Sequence, residues 1–325
     1  MSDSCRICGN ETGNTDYQVR EMMFGTRESF RYFQCAACGC LQIADFPEEM
    51  GRYYPSGYFS FRKHDRLARS RLRAWFDRRR VRYALEGHGL VGMLASRLAR
   101  PLDYVHWIKE AGLDAAAGIL DVGCGQGKVL LRMRLGGFRR CVGVDPYIAG
   151  DIHYSNGVKV FKRELADFAG DTGEPFDLIM FHHSLEHMAR QQDVLAQAAR
   201  LLSPQGCILV RIPMAEGEAW ERYREHWAQL DAPRHFYLHS RRSMELLAAQ
   251  AGLVIRKVEY DSTVLQFVGS ELYRRDIPMN AGRSRTGIFT RRQLKAFRQQ
   301  AKALNASGRG DQAVFYLAHQ PPAKA

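Results

Sequence analysis

Three groups of residues in this chain have types and spacings that do chemistry. The first is a pair of knuckles, "CRICGN" and "CAACGC", which set Cys5, Cys8, Cys35 and Cys38 near the N-terminus. Two thiolates separated by two residues reach one tetrahedral ion from a single tight turn, and the glycine after each pair lets the backbone fold back beneath the sulfurs. Joined by the strand-like "ESFRYFQC", the knuckles predict a zinc ribbon with a closed, structural four-thiolate site, leaving Cys40 as a spare. The second group lies in "FHHSLEHM", residues 181–188, where His183, Glu186 and His187 fit the H-x-x-E-H pattern of a class of zinc proteases. That chemistry needs a helix presenting the ligands on one face. Here the apolar run "FDLIMF" enters as a strand and helical spacing resumes only near Arg190, so the string reads as a histidine cluster at a strand end. The third group is "ILDVGCGQGKVLL", with Gly123, Gly125 and Gly127 between a strand and a helix. Such glycines let backbone approach a ligand beside the amides of a helix N-terminus. Counting from Gly123, Lys128 stands where the dinucleotide fingerprint needs its third glycine, which puts a dehydrogenase last among the readings.

The elements that must position these groups are legible from apolar periodicity. From about residue 118, short apolar runs ("AGILDVG", "RRCVGVDP", "VKVF", "FDLIMFH", "GCILVRIP", "GLVIRKVEY") alternate with helical stretches such as 128–135, 190–202 and 241–251. This alternation predicts an α/β fold, a mostly parallel sheet covered on both faces. The isolated strand "QAVFYLAH" follows a long polar segment. Upstream, "FPEEMGRYYPSGYFSF" is aromatic and turn-rich, and 62–82 is dense in arginine with Leu67, Leu72, Trp75, Phe76 and Tyr83 at loose helical spacing. That stretch predicts an amphipathic basic helix, which serves as a solvated face, a phosphate site or a peripheral membrane contact. The expected division is 1–45 ribbon, 46–116 aromatic and Arg-rich helical segment, and 117–325 α/β domain.

At 325 residues and 46% hydrophobic content, the chain can bury a full core. No apolar run reaches eighteen residues and the N-terminus lacks the layout of a signal peptide, so a cytoplasmic protein is expected. Paired cysteines in that compartment favour metal over disulfides. A net charge of +12 favours an anionic partner.

"LDVGCGQG", followed in order by "GVDP", "FDLIMFHHSLEHM" and "LLSPQGCILVRIP", resembles class I S-adenosylmethionine-dependent methyltransferases over about residues 118–213. The resemblance implies a Rossmann-like seven-stranded sheet whose last strand, "QAVFYLAH", runs antiparallel. It implies that Asp121 and the Gly123, Gly125 and Gly127 loop hold the methionine part of S-adenosylmethionine, and that Asp145 takes the ribose hydroxyls. His182 stands on the cofactor side. The acidic residue that usually follows the third strand is missing from "VFKRELADF", where Glu164 is nearest to an adenine contact. The "LEH" shared with related methyltransferases makes Glu186 and His187 site residues, Glu186 toward the acceptor. Histidine is suited to removing an acceptor proton, so His187 is the expected base with His183 in reserve; holding the loop through backbone bonds is the alternative role. A segment similar to "DAPRH" in the family places Asp231, Arg234 and His235 at the acceptor, His235 able to share the base role.

A zinc ribbon joined to such a domain resembles bacterial methyltransferases that modify sugars, including deoxysugar C-methyltransferases and those of surface-polysaccharide pathways. The further C-terminal domain of the deoxysugar group is missing, so oxygen is the expected atom, on a small-molecule or glycan acceptor carrying phosphate or nucleotide. An RNA methyltransferase is the first rival, on the ribbon, the basic helix and the aromatics of "GRYYPSGYFSF"; a non-catalytic cofactor-binding module is the second.

Overall fold

The structure is a computed structural model that describes residues 4–54, 67, 70–99, 101–168, 173–280 and 287–320. Three strands open the chain: β1 (Thr15–Arg20), β2 (Ser29–Gln34) and β3 (Leu41–Ile43). Three helices follow: α1 (Arg71–Glu86), α2 (Leu90–Leu98) and α3 (Asp103–Glu110). Residues 62–66, 68 and 69 of the expected basic helix lie outside the described residues, as do residues 55–61 of the aromatic stretch. The alternating part then runs β4 (Ile119–Val122), α4 (Lys128–Gly136), β5 (Cys141–Val144), β6 (Ile152–His153), β7 (Lys159–Phe161), α5 (Leu165–Phe168), β8 (Phe176–His182), α6 (Gln191–Leu201) and β9 (Leu202–Pro213). It closes with α7 (Glu218–Tyr223), β10 (Tyr237–Leu238), α8 (Arg241–Gln250), β11 (Leu253–Tyr260), α9 (Leu265–Arg274), α10 (Arg291–Ala306) and β12 (Gln312–His319).

The main sheet has the order β11-β12-β9-β8-β4-β5-β7-β6. Strands β7, β5, β4, β8 and β9 run parallel, and β12 lies antiparallel between β9 and β11. The seven expected strands are all present with the last reversed, and the two-residue β6 adds an eighth, antiparallel edge. Ile119, Leu120, Leu178, Ile179, Ile208 and Leu209 are fully buried, because helices cover both faces. The chain leaves β4 toward β5 and β7, then returns to β8 on the other side of β4. That reversal opens a crevice at the carboxyl ends of these strands, where open α/β sheets bind ligands.

The N-terminal strands form a second sheet of order β1-β2-β3-β10, whose fourth strand comes from far along the chain. Tyr237 pairs with Gln42 and Leu238 with Leu41. One apolar core runs from the ribbon's Tyr32, Phe33 and Leu41 to Phe181, Ile212 and Phe315 on one face of the main sheet. The other face packs on Val81 of α1 and on Tyr104 and Ile108 of α3. The polar segment before β12 holds α9 and α10; a reciprocal capping box, Thr290 with Gln293, starts the latter.

Candidate functional site

At the crevice the chain turns from β4 into α4 through three glycines with positive φ, Gly123 (75°), Gly125 (54°) and Gly127 (69°). At Gly123 a side chain is also excluded by space, since an added Cβ would stand 2.5 Å from Ser184 Cβ. Asp145, at the end of β5, accepts from Gly125 N at 2.8 Å and from Tyr147 N at 2.9 Å. The carboxylate is thereby aimed while keeping lone pairs for further donors. Asp121 is buried and its Oδ1 has no partner. Burial, with the Asp145 charge second, pushes its carboxyl up to about 8. A buried acceptor without a donor, beside a bare glycine loop and an oriented carboxylate, fits a ligand carrying an ammonium and a diol. S-adenosylmethionine has both, and these are the residues that would hold it. Glu164 and His182 line the same cavity, which encloses about 1860 Å³, room for a cofactor and an acceptor together. Burial holds His182 down to about 3, so it is a neutral ring, packed 5.1 Å from Trp107.

The histidine cluster occupies the end of β8 and a 3-10 turn, Leu185–His187. It does not lie in an α-helix, so the protease geometry is absent. The four groups divide by their hydrogen bonds. His183, in left-handed backbone with φ 55°, sets its Nε2 against Arg211 Nη1. A guanidinium only donates, so the lone pair of His183 is taken and the reserve role expected of it falls away. His187 Nδ1 lies 2.8 Å from the carbonyl oxygen of Arg234, which only accepts; Nδ1 therefore carries the proton and Nε2 holds a lone pair. His235 is fixed alike by Gln229 O at 2.7 Å, but burial, with the neighbouring His187 charge, lowers it to about 4 and makes it a weak base. Glu186, expected to face the acceptor, is instead completely buried and outside the cavity wall. A side-chain oxygen of Glu186 and a ring nitrogen of each of His187 and His235 lie within 4.8 Å of one another; His183 Nδ1 is 3.4 Å from Glu186 Oε1, and neither carboxylate oxygen has a hydrogen-bond partner. Burial alone would raise its carboxyl, but the histidines around it outweigh burial and hold it down to about 2. Glu186 is thus a buried negative charge behind His187, placed to stabilise an imidazolium.

A second correction concerns Arg234, which the sequence reading set in the acceptor pocket. It is fully buried, donates to Asp231 at 2.6 and 3.0 Å, to Glu21 at 2.9 Å and to Tyr53 O at 3.2 Å, and does not line the cavity. Glu21 also accepts from the amides of Phe24, Gly25 and Thr26. Arg234 therefore clamps the N-terminal strands to the catalytic segment. Asp231 and His235 do line the cavity. The reading missed Arg211, Trp107 and Tyr54; Tyr54 lies in the cavity wall with its hydroxyl 3.3 Å from His187 Nδ1. Arg211 and Trp107 were hidden inside runs that read as a core strand and a helix.

The sulfurs of Cys5, Cys8, Cys35 and Cys38 lie within 4.8 Å of one another, with 3.6 Å between Cys5 and Cys38 and 3.5 Å between Cys8 and Cys35. A tetrahedral zinc with bonds of about 2.3 Å places its sulfurs a little under 4 Å apart, so the set fits that ion. Cys40 stands apart, buried and 3.9 Å from His239 Nδ1.

A sequence model of the methyltransferase domain matches residues 94–258, about half of the chain. The chain belongs to this methyltransferase-domain family. Over 109 residues it is 32% identical to a ubiquinone biosynthesis O-methyltransferase of Pseudomonas syringae pv. tomato, an alignment covering 31% of this chain and 47% of that protein. The chain thus spans about half the length of the curated relative it matches. Similar solved structures include the cyclopropane synthase MmaA2 from Mycobacterium tuberculosis, at TM-score 0.40 and 19% identity, covering 66% of this chain and 83% of that one. A SAM-dependent methyltransferase from Archaeoglobus fulgidus has TM-score 0.39 and 14% identity, with coverages of 67% and 99%. The matched residues include the glycine loop, Asp145 and the histidine cluster.

Proposed function

We propose that this methyltransferase moves the methyl group of S-adenosylmethionine to a hydroxyl of a small-molecule or glycan acceptor, a sugar bearing phosphate or nucleotide. The observation that carries the reading is the pairing, in one cavity, of the orphaned Asp121 and oriented Asp145 with His187, whose Nδ1 contact to Arg234 O leaves the lone pair on Nε2. The sulfonium supplies an electrophilic methyl. The chain's own work is to hold the acceptor oxygen in line with it and to receive the hydroxyl proton on His187 Nε2, with Glu186 balancing the charge that results. The products are a methyl ether and the neutral thioether. Oxygen is further supported by the O-methyltransferase among the relatives. Lys128, Arg163 and Arg190 in the cavity wall support an anionic acceptor. The four-cysteine cluster takes a structural zinc.

The test is incubation of the purified protein with S-adenosylmethionine and separate pools of phosphosugars and nucleotide sugars, phenols, and bulk RNA, followed by quantification of S-adenosylhomocysteine and mass spectrometry of the acceptor. Thioether release matched by one added methyl on a sugar hydroxyl is expected. Release with RNA alone would replace the reading by RNA methylation, and binding without release from any pool would make the chain a cofactor-binding module.

A further inference from the structure

The helices α1 and α2 carry a surface that the methyltransferase site does not use. Among the described residues ten large hydrophobic side chains are exposed, and seven of them sit on these two helices. On α1 they are Leu72, Trp75 and Phe76, spaced to share one face, with the guanidinium of Arg79 stacked 3.5 Å from the Trp75 ring. On α2, Leu90, Leu94 and Leu98 recur every fourth residue, beside Val91, and Leu98 is 90% exposed. The inner sides of both helices are occupied. Asp77, Arg80 and Val81 are buried, and Gly92 meets the backbone of Arg79 so closely that a Cβ would stand 2.2 Å from its carbonyl oxygen. The outward face is therefore a rigid ridge, since the helices cannot turn it inward without breaking that packing.

We infer that this hairpin seats the protein on a bilayer surface rich in anionic lipid. The occupant is chosen by composition. Arg71, Arg78 and Arg82 fall on one flank of the apolar face of α1, and Glu86, paired with Arg82 at 3.6 Å, is the only exposed acid on that helix. Arginines flanking leucine, tryptophan and phenylalanine are the layout of an in-plane interfacial helix, whose stems run along the acyl boundary while the guanidiniums meet phosphate headgroups. A nucleic acid would answer the arginines but leave the aliphatic ridge of α2 in water. No helix among the described residues is long and apolar enough to cross a membrane, so the contact lies on the surface. The next element, α3, gives Trp107 and Tyr104 to the cavity wall, so docking sets the mouth of the site near the bilayer.

The test is co-sedimentation of the full chain with vesicles of phosphatidylcholine alone and of phosphatidylcholine mixed with phosphatidylglycerol. Partition into the anionic vesicles, weakened by salt, is expected, at least tenfold lost in L94E/L98E and reduced in R78A/R82A, while circular dichroism and S-adenosylmethionine binding stay as in the parent. Absence of partition, or partition that survives L94E/L98E, overturns the inference. So does a dimer in sedimentation velocity that the same variant dissolves, which would assign the ridge to a second copy, or retention on RNA in place of vesicles.

Discussion

At the scale of single residues, the proposed site rests on two groups, His187 and Asp121, whose surroundings decide their chemistry. The carbonyl of Arg234 fixes the His187 tautomer, so Nε2 carries the lone pair of a ring that lines the cavity. Replacing His187 by Gln keeps a polar side chain without the base, and turnover is expected to fall by about 10²–10⁴-fold with S-adenosylmethionine affinity unchanged. Single-turnover kinetics with calorimetry would show it, and unchanged turnover would end the assignment. Asp121 supplies a pH test. Its folded carboxyl is raised to about 8 from an ordinary 3.8, so the folded state prefers the proton. The resulting stability is complete below about pH 4 and is lost as pH rises through 8. In the cofactor-free protein, D121N should raise the melting temperature at pH 8 and leave it nearly unchanged at pH 4. Equal shifts at both pH values would contradict the buried, unpartnered carboxyl.

At the scale of elements, the glycine loop makes the sharpest demand. Gly123→Ala puts a side chain at φ 75° and 2.5 Å from Ser184 Cβ, and should cost about 1–3 kcal/mol in chemical denaturation and abolish cofactor binding. Elements of this kind were legible in the sequence for a physical reason: buried parallel strands read as unbroken apolar runs, and the loop needs glycine whatever surrounds it. Helix α10 was less legible because its exposed face is arginine, lysine and glutamine, although "TRRQ" carried its cap. Strand β10 could not be read at all. Two residues gain strand geometry only from a partner nearly two hundred positions earlier, and nothing local marks them. The same holds for Arg234 and Glu186, whose residue types read as site chemistry while burial makes one a clamp and the other an enclosed charge beside the histidines. Arg211 shows the converse, a site residue masked by the strand that carries it.

At the scale of the whole molecule, the ribbon is built into the catalytic segment. Tyr32 donates its hydroxyl to the carbonyl of His235 at 2.8 Å, Ile43 N donates to Phe236 O at 3.0 Å, and Phe236 N donates to Glu186 O at 2.8 Å. The four-cysteine cluster thus positions residues 235–239 through β3, and its loss should reach the histidines. The C35S/C38S protein, or the parent after exhaustive chelation, should lose turnover far more than S-adenosylmethionine affinity, because the cofactor loop hangs from β4 and β5 in the other sheet. Turnover that survives loss of the metal would show the two sheets to be uncoupled. S-adenosylmethionine is held, on this account, in the crevice at the carboxyl ends of β4, β5 and β8, and titration calorimetry of that ligand into the parent and D145A proteins tests it most directly. One site in the parent and a loss of at least about tenfold in D145A are predicted; no heat in the parent, or equal affinity in the two proteins, would contradict it.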